Sequence, residues 1–271
     1  MYATSPEEVE STYRYHIGRI APLLDQYFTV LPKASYGVKR LGPSLEAGMS
    51  YGYYEPPTKD RPVGLYRYNG SGLDSRSQLQ AATLIYHELV PGHHFHLASQ
   101  FENDDLAPIR RNGVIELDGY TEGWAEYAAD LPKEMGLYND PHDLYGRLVH
   151  ERFMAQRLVV DTGMNLLGWS LEQGQAFMRA NTMESDTQIA SETLRYATDM
   201  PAQSLAYRLG YLKITELREM AERVLGSAFD IRAFHQAILG PGALPLSLLE
   251  EQISVFIQES AHQQTPTSAD D

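Results

Sequence analysis

Tyr86-His87-Glu88-Leu89-Val90-Pro91-Gly92-His93-His94-Phe95-His96 determines how this 271-residue chain is interpreted, because it holds four of the nine histidines and a glutamate directly after the first. Neutral imidazole is the usual nitrogen ligand of zinc. In zinc hydrolases the general base is a glutamate beside the first ligand. The stretch therefore predicts a metal site, and Glu88 beside His87 predicts a hydrolase.

The histidines are not spaced as in an ordinary zinc helix, where two ligands lie four residues apart on one face. Pro91 occupies that fourth position, and the next histidines are His93 and His94. On an unbroken helix His93 would point about 120° away from His87. Proline cannot donate a backbone hydrogen bond, and glycine tolerates unusual backbone angles. We interpret Pro91-Gly92 as an insertion that loops out and returns His93 to the metal. His94 is the alternative if the loop returns one residue later.

A third ligand is predicted on a helix over residues 120–130. Glu122 and Glu126 lie four residues apart, hence on one face of that helix. Glu122 would complete a set of two histidines and one glutamate and leave a fourth position open for water. Glu126 could accept the other ring N–H of a ligand histidine. The alternative is a solvated glutamate pair, but the apolar neighbours Trp124 and Tyr127 predict a buried helix, where unpaired charge is costly.

These motifs resemble a bacterial family of unknown function that is regarded as a group of zinc peptidases. The match runs from roughly residue 5 to residue 258 and rests on five segments: His87 to His94, Glu122 to Ala128, Asp161-Thr162-Gly163, Arg195-Tyr196, and Pro201-Ala202-Gln203 with Tyr207. The family is distantly similar to helical peptidases, among them thermostable carboxypeptidases and oligopeptidases. The resemblance implies zinc held by His87, His93 and Glu122, with Glu88 as the base.

The chain departs from that family in two respects. Family members are typically about twice as long and have a helical N-terminal half, so the chain resembles their C-terminal, metal-bearing half. A histidine commonly follows the Asp-Thr-Gly segment, whereas this chain has Met164-Asn165. If that histidine contributes to substrate binding, Asn165 would weaken or change the activity.

The pattern along the chain predicts a mainly α fold with a small antiparallel β-sheet before the metal-binding helix. Ser5-Pro6-Glu7-Glu8 is a capping box, and a helix should follow to about Tyr27 with a kink at Pro22. The predicted strands are Ser35 to Lys39, Met49 to Tyr54 and Val63 to Tyr68. The predicted later helices are 76–101, 117–131, 143–167, 170–181, 186–198, 201–225, 230–238 and 246–260. We expect one metallopeptidase-like domain over 1–260 and a disordered tail over 261–271.

Composition limits the classes of partner. A net charge of −14 argues against nucleic acid and against anionic membranes, since both attract basic surfaces. No apolar run approaches the roughly 18 residues that span a bilayer. The absence of cysteine excludes disulfides and thiolate ligands and leaves the cellular compartment open. The expected partner is a peptide or small amide substrate.

Five further residues are candidates for contact with that substrate. We predict that the strand Gly64 to Asn69 is an edge strand that pairs with the substrate backbone, with Tyr66 among its binding residues; a strand that only packs is the alternative. Tyr196 and Tyr207 could donate to the developing oxyanion. Arg195 or Arg208 could bind a substrate carboxylate. Tyrosines in the core and arginines in surface ion pairs are the alternative interpretations.

Three functional hypotheses follow. In the first, zinc activates a water, Glu88 takes its proton, and a peptide bond of a short peptide is cleaved. In the second, the same chemistry acts on a small amide metabolite. In the third, His87, His93, His94 and Glu122 form a closed structural zinc site.

Overall fold

Helices dominate the computed structural model, which describes residues 2–46 and 51–262 and confirms the mainly α fold. The helices are α1 (Pro6–Ile20), α2 (Pro43–Glu46), α3 (Ala81–Glu88), α4 (His93–Glu102), α5 (Pro108–Arg111), α6 (Asp118–Asp130), α7 (Pro141–Asn165), α8 (Leu171–Asn181), α9 (Asp186–Leu194), α10 (Ala206–Leu225), α11 (Ile231–Leu239) and α12 (Leu246–His262). In this part of the chain no helix is both long and apolar enough to cross a bilayer.

Three strands precede the two helices that carry the histidine-rich stretch: β1 (Ser35–Arg40), β2 (Gly52–Glu55) and β3 (Val63–Tyr68). Their order is β1-β3-β2, with β3 antiparallel to β2 and parallel to β1. The prediction of an antiparallel sheet is therefore wrong for one of the two pairs. The chain forms a hairpin from β2 to β3. Strand β1 pairs with β3, the second strand of that hairpin, so β1 and β3 run in the same direction. Met49 and Ser50 of the predicted second strand lie outside the described residues.

Several predicted helices are shorter than expected or interrupted. Ser5 is the N-cap of α1 and accepts from the Glu8 N–H, but the Glu8 carboxylate accepts from Thr4, so only half of the predicted capping box is present. Helix α1 ends at Ile20, and a 3₁₀ segment, Ala21–Gln26, follows it. The helix predicted over 76–101 is two helices, α3 and α4, because the chain turns between Leu89 and Gly92. The segment Arg195–Asp199 continues α9 as a π-helix. At the other end, α12 extends to His262, and the tail predicted to be disordered otherwise lies outside the described residues.

Helices α6 and α10 approach each other backbone to backbone. A Cβ on Gly123 would lie 2.5 Å from the Cα of Gly210, and a Cβ on Gly210 would overlap the carbonyl oxygen of Gly119. Side chains larger than hydrogen are excluded there, so these glycines allow the close crossing. Next to Gly123, Trp124 is fully buried in the main core. Helix α6 is thereby held between α10 on one side and the histidine-rich stretch on the other.

Candidate metal centre

The turn between α3 and α4 brings two histidines together. A Cβ on Gly92 would overlap the carbonyl oxygen of His87, so only glycine allows the chain to pass this close to the end of α3. The peptide bond between Val90 and Pro91 is cis. From α6, the Trp124 indole N–H donates to the carbonyl oxygens of Pro91 (3.0 Å) and Gly92 (3.2 Å). The predicted two-residue insertion is thus present and is held in place by Trp124.

His87, His93 and Glu122 converge as the sequence predicts. The Nε2 atoms of His87 and His93 each lie 3.4 Å from Oε2 of Glu122, and the three residues form a group that could hold a metal ion. They come from the end of α3, the start of α4 and the middle of α6. Both histidines are buried, and the Glu122 side chain is 15% exposed. The set offers two imidazoles and one carboxylate, the donor set typical of catalytic zinc.

Some polar atoms of this group are buried without a hydrogen-bond partner in the described part of the chain. Oε2 of Glu122 is buried and has no hydrogen-bond partner among the described residues. Burial lowers the pKa of His87, but contacts with Glu122 and Glu126 outweigh this effect and raise that pKa to about 10. Burial also opposes ionisation of Glu122, yet the His93 and His87 imidazoles hold its pKa far below its usual range. Both pKa shifts reflect the close approach of imidazole and carboxylate, and the buried Glu122 oxygen between two ring nitrogens fits a divalent metal.

His94 takes part in other contacts. Its Nδ1 lies 2.8 Å from the Tyr54 hydroxyl, and its Nε2 lies 3.1 Å from the carbonyl oxygen of Ala34. Both ring nitrogens are therefore engaged away from Glu122. The structure brings His93 to His87 and leaves His94 to link α4 with the sheet and the segment before it.

Glu88 follows the first histidine at the last position of α3 and is partly buried. Burial and the nearby Glu122 raise the pKa of the Glu88 carboxyl, while the imidazoles of His93 and His87 and the backbone N–H of Tyr54 oppose that rise. The charge on Glu88 in turn contributes to the raised pKa of Tyr54. This carboxylate therefore lies close to the three-residue group and to strand β2.

Behind His87 lies a second layer of polar residues. Oε1 of Glu126 lies 2.9 Å from Nδ1 of His87 and 2.7 Å from Nε2 of His150, and Oε2 accepts a hydrogen bond from Arg147 at 3.1 Å. Glu126 lies where the sequence predicts, beside the second ring nitrogen of a candidate ligand. Sequence reasoning missed Arg147 and His150. The sequence nevertheless contains a signal for them. Both residues are ionisable and lie three positions apart on the apolar face of the helix predicted over 143–167, close to Phe153.

Of the two tyrosines predicted as oxyanion donors, Tyr207 is the one that lies beside the group of His87, His93 and Glu122. Its ring stacks on the His87 ring with a centroid distance of 6.1 Å and an interplanar angle of 14°. Gln203, which sequence reasoning did not select, donates to the Tyr207 hydroxyl at 3.4 Å and accepts from Arg195 at 2.9 Å. Ala202 before it has a positive φ of 68°. Arg195 is therefore linked through Gln203 to Tyr207, whose ring stacks on His87.

Two other candidates, Tyr196 and Arg208, have different surroundings from those predicted. The Tyr196 hydroxyl donates to Glu192 and accepts from Arg157, so it belongs to a buried ion pair, and its described contacts do not include the metal group. Arg208 lies over the ring of Tyr211, 4.7 Å from its centroid, rather than beside His87.

Tyr66 lies on β3, which is the central strand and is paired on both sides. The prediction of an edge strand at Gly64 to Asn69 is therefore wrong, and Tyr66 is fully buried in the core. Strand β2 is the edge strand nearer to the metal group, since its Tyr54 contacts His94 and Glu88. Asn165, where the resembling family commonly has histidine, donates to Asp161 and to the carbonyl oxygen of Tyr196.

Two imidazoles and a carboxylate at the meeting point of three helices define a mainly helical protein with a candidate divalent-metal centre. The chain belongs to DUF885, a bacterial protein family of unknown function whose pattern matches residues 1–253. No protein with a curated description matches it.

Two solved structures have the same fold. A candidate lipoprotein from Colwellia psychrerythraea is 34% identical with a TM-score of 0.91, over 96% of this chain and 45% of that one. A candidate lipoprotein of unknown function from Shewanella oneidensis is 22% identical with a TM-score of 0.73, over 93% of this chain and 47% of that one. The chain thus spans less than half the length of either protein.

Proposed function

We propose that this chain is a zinc-dependent hydrolase that cleaves peptide bonds of short peptides. The observation that carries the proposal is the convergence of two Nε2 atoms and one carboxylate oxygen, with Glu88 directly after the first ligand. His87, His93 and Glu122 would hold the ion. A closed four-ligand structural site loses support, because both ring nitrogens of His94 are engaged elsewhere.

The chain's own residues account for the proton transfers. A zinc ion in this site supplies an activated water and polarises the substrate carbonyl. The Glu88 carboxylate takes a proton from the attacking water and returns it to the leaving amine. Glu126 contacts Nδ1 of His87 and favours the tautomer that leaves Nε2 free as a donor.

Three features near the centre suit a peptide substrate. Tyr207, which covers His87, is the best-placed hydroxyl to donate to a developing oxyanion. Arg195 has Gln203 as its hydrogen-bond partner and forms no salt bridge among the described residues, so its guanidinium can bind a substrate carboxylate. The outer edge of β2 is unpaired within the described sheet and can accept an extended substrate backbone.

The test is a peptide-mixture digest by the zinc-loaded chain, with and without a chelator, analysed by mass spectrometry. We expect new peptide ends that the chelator abolishes and that Glu88→Gln also abolishes while zinc remains bound. Glu172→Gln, at an exposed position on α8, is the matched control and should cleave normally.

Three other outcomes would change the conclusion. Zinc binding without cleavage of peptides, by this chain and by the longer Colwellia protein, would contradict peptidase activity. Cleavage of small amides alone would favour the metabolite amidase. Cleavage by Glu88→Gln at the parent rate would contradict the role of Glu88.

A further inference from the structure

The carboxylate of Glu126 contacts three side chains from two directions. Oε1 faces His87 and His150, and Oε2 faces Arg147. We propose that His150 is a positioning residue of the metal centre: it fixes the Glu126 carboxylate so that His87 presents Nε2 to the ion. This inference rests on the proposed zinc site but not on the reaction.

Each oxygen of Glu126 has its own anchor on α7. Arg147 is fully buried, donates to Oε2 at 3.1 Å, and also donates to the backbone carbonyl of Glu126 at 3.2 Å. Its Nε is engaged with Glu151 at 3.0 Å, so the guanidinium cannot turn toward the other oxygen without losing that bond. Arg147 therefore fixes Oε2. Oε1, which contacts His87, depends on the 2.7 Å contact with Nε2 of His150.

His150 also holds the beginning of the helix that carries His87. Its Nδ1 lies 3.1 Å from Oε1 of Gln80, the residue before α3. Gln80 and His87 are seven residues apart, so they lie on the same face of that helix, two turns apart. One imidazole on α7 therefore contacts α3 directly at its start and, through Glu126, at its end. This double contact sets the rotation of α3 about its axis and with it the direction of the His87 ring.

The same three residues, His87, Glu126 and His150, could be considered a second metal site, because their ligand atoms lie close together. The Arg147 guanidinium argues against this. It is permanently charged and lies 3.1 Å from Glu126, so it already neutralises the carboxylate that a second ion would need. The group therefore orients a ligand instead of binding a further ion.

The test compares zinc affinity among variants by competition with a chromophoric chelator. His150→Phe retains a ring but removes both nitrogens, and we expect zinc to bind about 10- to 100-fold more weakly. His150→Gln keeps an amide that can donate to Glu126 and should recover most of the affinity. His142→Phe, at the exposed start of the same helix, is the control and should bind zinc like the parent.

A second readout separates positioning from general packing. In the zinc-loaded protein, exchange of the His87 Nδ1 proton with water, followed by NMR, should be faster in His150→Phe than in the parent. Parent-like zinc affinity in His150→Phe, or equal weakening in His150→Phe and His150→Gln, would overturn the proposal. If His150→Phe does not fold, Gln80→Leu replaces it and must weaken zinc binding. Failure of the parent itself to bind zinc would contradict the metal centre as a whole.

Discussion

Gly92→Ala tests how closely the metal group depends on the turn between α3 and α4. A Cβ at this position would lie 2.6 Å from the carbonyl oxygen of Tyr86 and would overlap that of His87. Carbon and carbonyl oxygen in contact are normally about 3.3 Å apart, so the turn must move by at least roughly 0.7 Å. His93 is the next residue and moves with it. Ligand–zinc distances lie within about 0.2 Å of their usual values. The shift is therefore large enough to remove His93 from the ligand set.

We expect Gly92→Ala to weaken zinc binding at least about 10-fold and to lower the free energy of unfolding of the zinc-free protein by about 1–3 kcal/mol, the usual effect of overpacking. Chelator competition measures the first quantity and urea denaturation the second. Gly18→Ala is the control: no atom lies within 4 Å of a Cβ there, and alanine inside α1 should raise stability by about 0.5–1 kcal/mol. Zinc affinity within twofold of the parent, together with an unchanged urea midpoint, would refute the reasoning about Gly92.

Three further predictions follow from individual side chains. His93→Ala should lose zinc in a metal assay, whereas His94→Ala should keep it and lose about 1–3 kcal/mol of stability, because its two contacts are structural; the reverse pattern would make His94 the ligand. Burial lowers the pKa of His16 to about 4, so its neutral form contributes stability that is complete above the unfolded value of 6.5 and is lost as pH falls toward 4. Between pH 6.5 and pH 4 the free energy of unfolding should therefore fall less in His16→Phe than in the parent, by on the order of 3 kcal/mol in total. An unchanged pH profile would contradict this. Arg195→Ala should raise KM about 10- to 100-fold for peptides with a free carboxylate, while Arg208→Ala should not; equal effects would contradict the assignment of Arg195.

Local chemistry made the metal group predictable. Proline and glycine at fixed positions after His87 determine where the helix must end, and these effects act within a few residues. The pair Glu122 and Glu126 followed from helical periodicity alone. The roles of the residues after Glu122, by contrast, depend on distant segments: Gly123 permits the close crossing of α10, and Trp124 holds the turn before His93.

Contacts between distant segments were not predictable in the same way. His150 reaches Glu126 only because α7 packs beside α3 and α6, and nothing near His150 in the sequence specifies that packing. The strand order has the same origin, since the position of β3 between β1 and β2 depends on pairing across the sheet. Tyr196 and Tyr207 belong to adjacent motifs, but Tyr196 lies in the π-helix after Leu194 and Tyr207 lies on α10. Only the packing of the helices shows that Tyr207 lies over His87, whereas Tyr196 belongs to the ion pair of Arg157 and Glu192.

The glycine contact between α6 and α10 has a consequence for how such a site can diverge. Glu122 lies beside Gly123 on one helix, and Tyr207 lies one turn before Gly210 on the other. Because the helices touch through their backbones, the spacing between this ligand and this aromatic ring does not depend on the volume of any side chain at the crossing. A chain that retained these glycines could replace most outward-facing residues of both helices without moving the site. Selection for new substrates could therefore act on the surrounding walls while the metal geometry stays constant.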